Sequence, residues 1–99
     1  MNYVEQPMKR NNALAYNNAV AMELTILDCE EMGLEIERVE FDGRLRPRIF
    51  VKNSHITQKF LRDGKAYSFG TLVRHGVRRY LVQMPNRDCK ILWETDRLN

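Results

Sequence analysis

The sequence predicts an α+β domain in which a long N-terminal helix packs on an antiparallel sheet, in the order α-β-β-α-β-β-β. Three observations carry that expectation. Apolar residues recur at helical spacing in the N-terminal third, the period then changes to two, and Gly, Pro, Asn and Asp signals punctuate the rest at short intervals. A chain of 99 residues holds one core, so residues 1–99 are read as a single domain with residues 1–10 as a flexible polar lead.

Asn11 and Asn12 offer N-cap chemistry for a helix running to about Met32. Ala13, Tyr16, Val20, Leu24 and Leu27 follow helical spacing and read as its buried stripe. Glu23, Asp28, Glu30 and Glu31 lie toward the C-terminal end, where negative charge opposes the helix dipole at a cost of roughly a few tenths of a kcal/mol each. Nothing local offsets that cost. Gly33 suits the left-handed position after the last turn, with Leu34 placed to fold back on it.

Beyond Glu37, Val39 and Phe41 point one way and Arg38 and Glu40 the other. Leu34 and Ile36 have the opposite parity, which places a turn or bulge between Ile36 and Arg38. Asp42-Gly43 signals a turn, and Ile49, Phe50 and Val51 form the heart of a second strand after an arginine-rich connection. Pro47 lacks an amide donor and belongs on an edge or at the strand's beginning. Asn53 or Ser54 caps a short second helix through Arg62, with Ile56 and Phe60 four apart and Gly64 as its stop. Next, Tyr67, Phe69, Thr71 and Val73 alternate against Ser68, Gly70 and Leu72. His75-Gly76 turns the chain, and Tyr80, Val82 and Met84 resume the alternation. After a turn over Pro85-Asn86-Arg87-Asp88, Cys89, Ile91 and Trp93 face one side, so the last three strands form a meander.

Composition narrows the class. Hydrophobic residues make up 43% and charged residues 29%, and no apolar run is long enough to span a bilayer. Residues 1–7 lack the charged, apolar and small-residue sections of a signal peptide, so a cytoplasmic location is expected. Cys29 and Cys89 sit in apolar patterns outside any CxxC pair and read as buried free thiols. A metal set drawn from Cys29, His55, His75 and Cys89 lacks the short paired spacings of a structural zinc site. Glu35, Glu37 and Glu40 are the available carboxylates of the first strand, and no GxSxG, HExxH or phosphate loop occurs. The expectation is a non-enzymatic protein without a cofactor.

The charges point further. Residues 1–43 hold three Lys/Arg against nine Asp/Glu, a net −6, whereas residues 44–93 hold twelve against two, a net +10. Like charge gathered on one surface steers a polyanionic or oppositely charged partner. Arg44, Arg46 and Arg48, two apart, would project from one strand face about 6 to 7 Å from each other, close to the spacing of phosphates along a nucleic-acid strand. Arg74, His75, Arg78 and Arg79 surround the Gly76 turn, where hairpin closure brings Arg74 and Arg78 or Arg79 into one compact patch. Lys52, Lys59, Arg62 and Lys65 add charge around the second helix. Tyr67 and Tyr80 are stacking surfaces if their rings face outward, although alternating apolar rows favour core packing. A solvated hairpin tip, or ion pairing with the acidic helix, is the plain alternative for the arginines.

The stretch Val39-Glu40-Phe41-Asp42-Gly43-Arg44-Leu45-Arg46-Pro47-Arg48-Ile49, with Asp63-Gly64-Lys65-Ala66-Tyr67 and Cys89-Lys90-Ile91-Leu92-Trp93-Glu94, resembles small proteins of the early regions of tailed phages and prophages of enteric bacteria. That resemblance covers about two thirds of the chain. It implies a phage-type accessory role and transfers no functional residue. Two functions follow as expectations. One is nucleic-acid binding through a basic hairpin surface made of Arg44, Arg46, Arg48, Lys52, Lys59, Arg74, Arg78 and Arg79. The other is a protein-interaction module, a modulator of a host factor or a homodimer, using the acidic helix and basic sheet.

Overall fold

A computed structural model describes residues 8–99, and most of the lead expected over residues 1–10 falls on residues 1–7, outside the described residues. The elements are α1 (Arg10–Met32), β1 (Ile36–Glu40), β2 (Arg48–Val51), α2 (His55–Arg62), β3 (Tyr67–Arg74), β4 (Val77–Asn86) and β5 (Cys89–Thr95). Class and element order are those the sequence predicts.

Local chemistry sets most boundaries. α1 begins earlier than Asn11 and Asn12 imply: Lys9 is the N-cap, without a side-chain bond, and both asparagines lie in the first turn. At the other end Gly33 adopts φ 79°, and the amides of Gly33 and Leu34 donate to the carbonyls of Glu30 and Cys29. That double bond closes the last turn and folds Leu34 into the core. Ser54 caps α2 through a reciprocal box in which its hydroxyl accepts from the Thr57 amide and the Thr57 hydroxyl accepts from the Ser54 amide. His75 and Gly76 both take positive φ, the backbone of a two-residue hairpin turn.

One sheet holds all five strands in the order β1-β2-β5-β4-β3. β3, β4 and β5 form the expected meander, and β1 pairs antiparallel with β2, with the register shift between Ile36 and Arg38. The two units join through a parallel seam, Arg48 opposite Lys90 and Phe50 opposite Leu92, where the sequence reading had an antiparallel sheet throughout. Pro47 stands immediately before β2, an interior strand, and its carbonyl accepts from the Lys90 amide at 3.0 Å. Because Pro47 offers no amide of its own, it fits the position at which the ladder begins.

α1 and α2 lie against one face of the sheet. Ile49, Val51, Val82, Ile91 and Trp93 alternate onto that face and pack with Cys29, Met22 and Ile26 from α1 and Ile56 and Phe60 from α2. The buried face of α1 is not the stripe expected. Asn18, Thr25 and Cys29 are its buried residues, whereas Tyr16, Leu24 and Leu27 are exposed on the opposite side. Polar residues are tolerated inside because each is bonded. Asn18 Nδ2 donates to the carbonyls of Gly43 and Leu45, and the Thr25 hydroxyl exchanges bonds with Asn86. A second parity change occurs in β3, where the register shifts between Ser68 and Gly70. It turns Tyr67 to the face away from the helices, so the residue is 53% exposed rather than in the core.

Candidate nucleic-acid interface

The sheet face away from the helices is open and apolar along its middle. Period-two alternation places Phe50, Leu92 and Leu81 there from the three central strands, and Leu72 and Phe69 join them from β3. These residues and their neighbours line an open hollow of about 860 Å3. Arg38, Arg48 and Lys52 stand on its β1/β2 side, and Arg74 and Arg79 on its β3/β4 side. The guanidinium of Arg38 lies 3.8 Å from the centroid of the Phe50 ring, a cation–π contact that orients both groups.

Carboxylates temper this rim. Glu94 accepts from Arg74 Nε at 2.9 Å and Nη2 at 3.0 Å, and Arg79 Nε lies 3.4 Å from the same carboxylate. The Arg74 hydrogen bonds, above all, hold the Glu94 carboxyl below its usual range, and they raise Arg74. Lys52 is paired with Glu35, whose hydrogen bond raises its ammonium pKa, and Arg48 Nε lies 3.8 Å from Glu40. All of these pairs are exposed enough for water to weaken them, so they are exchangeable partners rather than fixed struts.

The structure divides the eight residues named from the sequence. Arg48, Lys52, Arg74 and Arg79 line the open face. Arg44, Arg46, Arg78 and Lys59 do not, and they have no ion-pair partner among the described residues. The expected ladder of Arg44, Arg46 and Arg48 is not built. Only Arg48 lies in a strand, because the Asp42 side chain accepts from the amides of Arg44 and Leu45 and bends the chain into a turn. At the Gly76 turn the patch expected of Arg74 with Arg78 or Arg79 forms with Arg79, since Arg74 opposes Val77 and Arg78 opposes Val73, on alternate faces of the hairpin. Lys59 belongs to a separate hollow between α2 and Arg97. Residues 41–47 sit at the end of β2 opposite to the His75-Gly76 tip, so the two basic clusters are separated by the length of the sheet.

The sequence reading missed Arg38, Phe50, Leu81 and Leu92. A signal for them exists. Ile49-Phe50-Val51, Tyr80-Leu81-Val82 and Ile91-Leu92-Trp93 are unbroken apolar triplets, and a strand that is apolar at both parities presents apolar groups on both faces. Of the titratable candidates, Cys29 is fully buried, and burial pushes its thiol up to about 11, with Cys89 raised by the same cause. Both remain free thiols. His55 starts α2 and His75 sits at the hairpin tip, and neither joins the cysteines.

Comparison with known proteins gives a family. A family model whose description reads "Uncharacterised protein" matches residues 1–96. An uncharacterized protein of Haemophilus influenzae is 36% identical over 89 residues, which cover 90% of this chain and 85% of the relative. No solved structure matches.

Proposed function

We propose, for a chain that belongs to this family of uncharacterised proteins, that it is a small non-enzymatic accessory protein holding single-stranded nucleic acid on the open face of its sheet. The phage-type setting expected from the sequence is compatible with that role. One observation carries the reading: an aromatic and aliphatic floor, Phe50 with Leu81, Leu92 and Phe69, bordered by five cations. Single strands are held by this combination, in which bases stack on apolar and aromatic surface while cations follow the phosphates. Five strands spaced about 4.8 Å apart give a floor on the order of 20 Å wide, enough for one strand laid across it. The eight arginines and lysines named from the sequence then act unequally. Arg48, Lys52, Arg74 and Arg79 contact the ligand, together with Arg38, whereas Arg44, Arg46, Arg78 and Lys59 contribute only long-range field.

Fluorescence anisotropy of a labelled oligothymidylate of about 12 nucleotides tests this, a length within the range one such domain holds. Oligouridylate and a duplex of equal length serve as further arms. Binding should weaken with salt at a log–log slope between about −2 and −3.5, from up to five neutralised phosphates at about −0.7 each. A single strand should be preferred over the duplex. Absence of binding to any of the three at low salt, or a slope near zero, overturns the reading.

A further inference from the structure

We propose that two copies of this chain associate through the outward face of α1, with their helices antiparallel and crossing at Val20. α1 has two apolar faces. One, with Met22, Thr25, Ile26 and Cys29, is covered by the sheet. The other carries Ala13, Tyr16, Val20, Leu24 and Leu27, which at 100° per residue fall within an arc of about 80° on the opposite side. Tyr16 and Leu27 are each 58% exposed and Leu24 is 38% exposed, although their spacing is that of a buried seam.

The charges identify the occupant. Lys9 and Arg10 flank the start of this face and Glu30 and Glu31 its end, and none of the four has an ion-pair partner among the described residues. Positions are symmetric about Val20: Ala13 matches Leu27, Tyr16 matches Leu24, Arg10 matches Glu30 and Lys9 matches Glu31. The apolar residues of the face match apolar ones and the four charges at its ends match with inverted sign, while Glu23 and Asp28 meet the neutral Asn17 and Asn12. A second copy laid antiparallel therefore meets leucine, tyrosine and alanine along the seam, and basic ends meet acidic ends twice. A parallel copy would set Glu30 and Glu31 against themselves. The first turn of α1 has no acidic residue and the last turn no basic one, so each helix alone opposes its own dipole. An antiparallel neighbour supplies positive helix ends and cations where the glutamates stand, which is the return that the isolated helix lacks. Self-complementarity of this kind is the property of a two-fold interface.

The dimer turns both open sheet faces outward, because α1 covers the other side of the sheet. It is therefore independent of the nucleic-acid reading, and its test contains no nucleic acid. A helix of 23 residues is about 34 Å long, and a single helix pair of that length falls below the standard interface of about 800 Å2 per partner. A seam of that size belongs to the weak, transient class of interfaces, so association is sought over a wide concentration range.

Sedimentation velocity between about 1 and 200 μM, at 0.05 and 0.5 M salt, should show a monomer of 11.7 kDa passing to twice that mass, earlier at low salt. Leu27→Glu with Tyr16→Glu, both at exposed positions, should weaken dimerisation at least tenfold without changing the far-UV spectrum. Lys9→Glu with Arg10→Glu should weaken it, and adding Glu30→Lys and Glu31→Lys in the same chain should restore it. A monomer at 200 μM in low salt overturns the proposal. So does a dimer that survives Leu27→Glu with Tyr16→Glu, or one that the four charge reversals fail to restore.

Discussion

Glu94→Gln separates a working cationic rim from a neutralised one, since this carboxylate accepts from Arg74 and lies beside Arg79 at the edge of the open face. Replacing it with an amide of the same shape removes one negative charge and leaves a single neutral carbonyl acceptor, which holds the two guanidiniums much less tightly. For a phosphate about 8 Å away at an effective dielectric constant of about 20, the lost repulsion is about 2 kcal/mol before screening. At 0.15 M salt the Debye length is also about 8 Å, which leaves about 0.8 kcal/mol, or roughly a fourfold tighter Kd. The salt slope should steepen by about 0.7 for each arginine that becomes free to meet a phosphate. Anisotropy titrations of labelled oligothymidylate at several salt concentrations read both quantities. Asp63→Asn, which makes the same change in net charge beyond the end of α2, controls for overall charge and should leave Kd within twofold. Unchanged or weaker binding by Glu94→Gln, in protein whose spectrum and melting are intact, would refute the placement of nucleic acid on this face.

Three further outcomes follow from the same geometry. Phe50→Ala removes the ring over which Arg38 lies and should weaken single-strand binding by about 1–3 kcal/mol, roughly 5- to 150-fold in anisotropy; a loss under twofold would exclude Phe50 from the contact. Gly43→Ala forces a side chain onto a residue at φ 83° and sets its Cβ 3.3 Å from that of Ala15, so calorimetry should show a loss of about 1–2 kcal/mol, or about 5–15 °C in Tm. Asp28 and Glu94 are both held below the usual carboxylate range, chiefly by hydrogen bonds from Arg87 and Arg74 respectively. A carboxyl lowered on folding stabilises the native state above its unfolded pKa, and that contribution is lost as pH falls through the folded one. Urea midpoints should therefore be flat from about pH 6 to 8 and fall below about pH 5, and Asp28→Asn with Glu94→Gln should flatten the acid limb. An identical acid limb in the double variant would count against these two groups as its source.

The sequence determined whatever a few adjacent residues decide among themselves. The left-handed stop at Gly33, the Ser54 cap, the Asp42 and His75-Gly76 turns and the bulge between Ile36 and Arg38 all depend on backbone preferences and on side chains that reach their own neighbours. So do the element order and the inward row of Cys89, Ile91 and Trp93. Tertiary structure alone decided which face met what. α1 carries two apolar stripes, and the sheet took the one with Asn18 and Thr25, because Gly43, Leu45 and Asn86 supplied hydrogen bonds that no periodicity reveals. The basic residues were likewise sorted by pairings remote in the chain. Arg74 and Arg79 meet at Glu94 only because β5 lies beside β4, and Arg48 reaches the open face only because β2 docks parallel on β5. Charge is legible in a sequence because it is a sum over residues. Charge placement is not, because it depends on strand order and parity, and a one-residue bulge such as that at Ser68–Gly70 reverses every side chain beyond it.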